Sequence, residues 1–65
     1  MSALVERVAR AICETCNAEG WRELGWTEAG IERLLDESWQ EYVPEAEAAI
    51  AVVEEVMRER MAQPA

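Results

Sequence analysis

Between Trp26 and Ala46 the apolar residues Ile31, Leu34, Leu35, Trp39, Tyr42 and Val43 recur at the spacing of a single helical face. Thr27 stands where an N-cap belongs, Glu28 follows in the first turn, and Pro44 marks the end while restricting Val43 before it. A first helix opens on Ser2 and carries Leu4, Val5, Val8, Ala9, Ile12 and Cys16 on its apolar side, with Glu6 and Arg10 as a favourable i, i+4 pair outside. A third begins at Pro44, with Glu45 and Glu47 in its first turn. It continues through Ala46, Ala49, Ile50, Val53, Val56, Met57 and Met61, then frays through Gln63, Pro64 and Ala65. Its small residues Ala46, Ala48, Ala49 and Ala51 would let a neighbour approach closely near its start.

The pattern therefore predicts helices over residues 3–17, 28–43 and 44–61 and no strand, because no stretch alternates with period two. Three amphipathic helices with short connections imply an all-α fold, a compact bundle forming one domain over residues 1–65. Between the first two helices the segment NAEGWRELGW holds Gly20 and Gly25, which permit a helix end or turn, and Trp21 to Leu24 can make a short helical turn between them. Trp21, Leu24 and Trp26 are expected to plug the gap between the helices; the alternative is a binding patch of partly exposed indoles.

Length limits what such a fold can enclose. A chain of 65 residues buries only about 60 % of its unfolded surface, so a substrate cavity of its own is not expected. With 51 % apolar and 31 % charged residues the composition is that of a folded chain. No run reaches the roughly 18 apolar residues of a membrane span, and no signal-peptide core opens the chain, so a cytoplasmic protein of a bacterial host is expected, with its cysteines reduced.

Charge changes the picture more. Fourteen acidic residues oppose six arginines, with neither lysine nor histidine, for a net charge of -8. Direct binding to nucleic acid or to an anionic membrane is disfavoured, since both need a basic surface. Up to Trp26 the four acids and three arginines sum to -1, whereas from Thr27 onward ten acids meet three arginines and sum to -7.

Little in the chain supports catalysis. Cys13 and Cys16 form C-x-x-C, but structural zinc wants four ligands, and a redox dithiol wants a helix N-terminus beside a sheet. Packing is the better account: Cys16 continues the stripe of Val5, Val8 and Ile12, and Cys13 lies on its flank. Carboxylates abound, but they fall on hydrophilic faces rather than in a cleft that would raise a pKa. No nucleophile triad, phosphate loop or calcium loop is present, so neither enzymatic activity nor a cofactor or metal is expected.

The acidic rows carry the remaining functional content. The central helix presents Glu28, Glu32 and Asp36, with Glu37 and Glu41 as a second row, and the third adds Glu45, Glu47, Glu54, Glu55 and Glu59. Carboxylates at i and i+4 repeat about every 6 Å along a helix, close to the phosphate spacing of a nucleic-acid strand. Such a surface can compete for a basic groove. Like charges at that spacing cost a few tenths of a kcal/mol per pair in an isolated helix, as between Glu28 and Glu32.

The segments Val8-Ala9-Arg10-Ala11-Ile12-Cys13, then Trp39, Tyr42, Val43-Pro44-Glu45-Ala46 and Ala48-Ala49-Ile50, resemble a group of short phage and prophage proteins of mostly unassigned function, over about residues 4–50. Those relatives usually have a short Pro-rich and Asp-rich link where this chain has a helix from Thr27. In length, acidity and helicity the chain also resembles small anti-CRISPR proteins, especially inhibitors of type I effector complexes. That resemblance implies binding to a crRNA-guided surveillance complex and exclusion of target DNA through an acidic surface; it assigns no individual residue. The expectation is a monomeric, non-enzymatic inhibitor seated in a basic nucleic-acid-binding groove, the alternative being a phage adaptor that binds protein through exposed tryptophans.

Overall fold

The computed structural model describes residues 2–62 and is helical throughout them, without a strand, apart from the cap at Ser2 and the corner at residues 24–27. Its elements are α1 (Ala3–Glu23), α2 (Glu28–Ser38), a 3-10 segment (Trp39–Tyr42) and α3 (Val43–Ala62). The last three follow one another without a break, so the helical residues form two runs, 3–23 and 28–62, the second bent at the 3-10 segment. The expected fraying at Gln63, Pro64 and Ala65 lies outside the described residues.

Local chemistry accounts for each boundary. Ser2 caps α1, its hydroxyl accepting from the Val5 N–H at 3.1 Å, and Thr27 caps α2 in the same way from Gly30. The first helix does not stop near residue 17, and no separate turn spans Trp21 to Leu24, because Trp21 to Glu23 complete α1 and Leu24 caps it. Gly20 is an ordinary helical residue there. The stop comes at Gly25, the chain's positive-φ glycine (φ 96°). The Gly25 N–H donates to the Arg22 carbonyl and the Trp26 N–H to the Trp21 carbonyl, each at 3.0 Å, which is the Schellman pattern of helix termination. The 3-10 segment precedes Pro44, which has no N–H to offer the Gln40 carbonyl; the Val43 N–H bonds that carbonyl instead, tightening the turn.

The expected bundle of three helices is met only in part: the chain is all-helical and α1 packs on the later elements, but the helices form two runs and the whole is extended. The radius of gyration is 15.5 Å, against about 11 Å for a compact domain of this length, and the molecule measures 53 × 23 × 15 Å. Packing gives the reason. The α2 helix packs on α1 and on the 3-10 segment but makes no contact with α3, so it cannot wall α3 along its length. Nor can α1: Tyr42 meets α1 at Asn17, and Ala46 packs in the cluster of Ala9 and Cys13. The contacts thus step back toward the start of α1 and exhaust it within about two more turns. From Ala51 to Ala62 every side chain is exposed.

The core is correspondingly small. Ala9, Cys13, Trp39 and Ala46 form its buried centre, and Val5, Val8, Ile12, Trp21, Leu35, Tyr42 and Val43 pack around it half-buried. Ala46 is fully buried, the close approach expected of a small residue at the start of the third helix, whereas Ala48, Ala49 and Ala51 face solvent. The two cysteines reverse their expected roles: Cys13 is fully buried and Cys16 exposed. The inward positions of α1 are Ala9, Cys13 and Ala18, the first two facing Trp39 and Ala46 in the core. Trp21 packs on the core as expected, but Leu24 is 78 % exposed and Trp26 48 %, so the gap-filling role falls to Trp21 alone among the three.

Polar ties hold the bend against α1. Arg10 donates to Glu6 on its own helix at 3.1 Å and to Asp36 on α2 at 2.6 Å, and its guanidinium lies 5.3 Å from the centroid of the Trp39 ring. Asn17, mid-helix, donates to the Tyr42 hydroxyl and to the Cys13 carbonyl, both at 2.9 Å.

Candidate functional site

The acidic residues divide by what they touch. Glu28 accepts from Arg22 at 3.1 Å, Asp36 from Arg10 at 2.6 Å, and Glu54 lies 4.0 Å from Arg58. Glu32, Glu37, Glu41, Glu45, Glu47, Glu55 and Glu59 are exposed, with no ion pair among the described residues. Asp36 is therefore a strut between α1 and α2 rather than part of an open acidic face. Its bond is also the leading reason that the Arg10 guanidinium holds its proton more firmly than usual. The negative field is steepest over residues 27–50, where Glu28, Glu32, Asp36, Glu37, Glu41, Glu45 and Glu47 oppose Arg33 alone, -7 and +1 giving -6. Over residues 51–65, Glu54, Glu55 and Glu59 oppose Arg58 and Arg60, a sum of -1.

Among the described residues no carboxylate is buried. Cys13 is the one titratable side chain in the buried core, and desolvation pushes its thiol pKa up, with Asn17 opposing and the Glu41 charge adding to the rise. A thiol so placed is held protonated and out of reach of solvent, the opposite of an activated nucleophile. Among the described residues no group of histidine, cysteine or acidic side chains is arranged to hold a metal ion. No helix of the described residues is long and apolar enough to cross a membrane.

Three apolar surfaces accompany the acidic one. The arm of α3 exposes Val52, Val53, Val56, Met57 and Met61, the last at 84 %. Along α1 an open groove of about 560 Å³ is lined by Leu4, Val8, Ala11, Ile12 and Cys16, with Arg7 at its edge. A closed bundle would place the stripe of α3 in the core, and the structure does not. The contrary signal lies in register: α1 is used up against residues around Tyr42 to Ala46 and α2 does not touch α3, so neither reaches residues 51–62. Trp26, half exposed, lies across the start of α2 so closely that a Cβ on Gly30 would sit 3.0 Å from its Cε3. That indole and the nearby Leu24 form a small apolar knob at the α1–α2 corner.

No family model, curated protein or solved structure matches this chain.

Proposed function

We propose that the chain is a non-enzymatic binding protein whose acidic face, centred on α2 and the start of α3, occupies a basic nucleic-acid-binding groove of a protein complex. The observation behind this reading is the set Glu32, Glu37, Glu41, Glu45 and Glu47, all exposed and without a cation partner among the described residues, within a segment of charge -6. Carboxylates about 6 Å apart along a helix can meet the arginines and lysines that otherwise bind successive phosphates, and a groove so filled excludes its nucleic acid. The resemblance to anti-CRISPR inhibitors makes a type I surveillance complex the first target, with loss of target-DNA binding as the consequence.

The test is target-DNA binding by the purified complex with and without this protein, together with co-elution. The informative variant combines Glu32→Arg with Glu37→Arg and leaves Asp36 alone, because reversing Asp36 would set two cations against each other at Arg10 and disturb the fold. Loss of inhibition with an unchanged helical spectrum is expected; full inhibition by this variant would sink the charge-mimic reading.

A second reading is favoured by the knob of Leu24 and Trp26. In it the chain is an adaptor that docks a protein through this corner, with the acids serving solubility. Trp26→Ala would then abolish capture of the partner while the paired charge reversal leaves it intact.

A further inference from the structure

The arm of α3 has no cover within the described chain, and we infer that a second copy of this chain supplies it, with the two arms packed side by side in antiparallel orientation. The twelve exposed residues of the arm gain no tertiary packing within the chain, and packing of an apolar face is what gives most helices in proteins their stability. A second copy supplies that packing without any other component.

Area, charge and geometry agree on this occupant. The accessible surface is 5172 Å², whereas size scaling gives about 4,200 Å² for a compact protein of 7.4 kDa. The excess, about 1,000 Å², is comparable to the roughly 800 Å² that each partner contributes to a standard interface. Two copies of residues 27–50 at -6 each would repel, while two copies of residues 51–65 at -1 each scarcely do, so the arm is where self-association meets least resistance among the acidic helices. Ile50, Val53 and Met57 repeat at alternating steps of three and four, the seam of a helix pair, with Val56 beside them.

Orientation follows from the order of charges. In parallel arms every charge, from Glu45 and Glu47 to Arg58 and Arg60, would lie level with its own copy. In antiparallel arms that overlap symmetrically over residues 50–57, Arg60 comes level with Glu47 of the second copy and Arg58 falls two residues along from it, so the basic end of each arm meets the acidic start of the other's α3. The same register sets Met61 of one copy level with Ala46 of the other, on the part of α3 whose inner face is already buried on α1. The groove of Leu4, Val8 and Ile12 on α1 is then within reach of that methionine. Two α1 and two α3 helices thereby complete the bundle that one chain leaves open.

Sedimentation equilibrium of the full chain is expected to give twice the 7.4 kDa chain mass across the micromolar range. Val53→Glu with Met57→Glu is expected to give the chain mass and a loss of helical signal. A monomeric wild type, or a variant that stays dimeric, would overturn the proposal. Crosslinking tests the register without disturbing the seam. In a Cys16→Ser background, Glu47→Cys mixed with Arg60→Cys is expected to form the mixed disulfide on oxidation, whereas disulfides solely between identical positions would overturn the antiparallel arrangement. These readouts are independent of whether the protein inhibits any complex.

Discussion

Gly20 and Gly25 are expected to respond in opposite directions to alanine. Gly20 lies inside α1, and a methyl group added there would meet nothing within 4 Å, so alanine gains helix propensity and is expected to stabilise by about 0.5–1 kcal/mol. Gly25 has φ 96° at the Schellman turn, and alanine there is expected to cost about 1–2 kcal/mol. Urea denaturation of the two variants checks both signs. The cysteines offer a second contrast at this scale: one thiol, Cys16, is expected to react with a thiol reagent in the folded protein and two after unfolding. Because the folded state raises the Cys13 pKa, it keeps that proton at a pH where the unfolded chain loses it. Its contribution to stability is complete below the ordinary thiol pKa of 9.0 and falls as pH rises past it, so Cys13→Ala is expected to flatten the alkaline limb of a stability profile. Composition indicates that a residue such as Cys13 packs rather than reacts, but which cysteine faces inward depends on the side of α1 against which Trp39 and Ala46 pack, which the sequence leaves open. Both Gly20 and Gly25 resemble stops, and the choice between them is a φ value that residue type leaves open.

At the scale of elements, the chemistry that joins them is concentrated on α1. Arg10 meets Glu6, Asp36 and Trp39 together, so Arg10→Ala is expected to lower the thermal midpoint and alter Trp39 fluorescence. Arg10→Lys is not expected to restore either, since an ammonium cannot reproduce the planar fork that reaches both carboxylates. Asn17→Ala removes the bond to the Tyr42 hydroxyl and is expected to cost about 1 kcal/mol, with a smaller added loss when combined with Tyr42→Phe than the separate effects would sum to. None of these ties across elements was legible, because sequence shows i, i+4 pairs such as Glu6 with Arg10 but not partners such as Asp36, reached only once α2 folds back. Helix existence and both N-caps were legible from periodicity and from Ser2 and Thr27. The 3-10 segment was not. Apolar spacing runs straight through Trp39 to Val43, and the consequence of Pro44 appears in the backbone before it rather than in the pattern.

For the molecule as a whole, the acidic surface makes opposite demands on salt. Residues 27–50 carry -6, and screening that repulsion is expected to raise the thermal midpoint, and to tighten any pairing of two copies, as salt rises from about 0.02 to about 0.3 M, over which the Debye length falls from above 20 Å to below 10 Å. Binding of the same face to a basic groove is expected to weaken over the same range, because screening removes the attraction that brings the surfaces together. The two slopes are separable in one titration series that follows unfolding by circular dichroism and complex formation by co-elution. If capture instead runs through the apolar corner at Leu24 and Trp26, the fold still gains stability with salt but capture holds constant or strengthens, since burial of apolar surface is not screened. The salt slope of capture, taken against a fold known to be intact by its own rising midpoint, therefore assigns the working surface to the acids or to the tryptophan corner before any residue is changed.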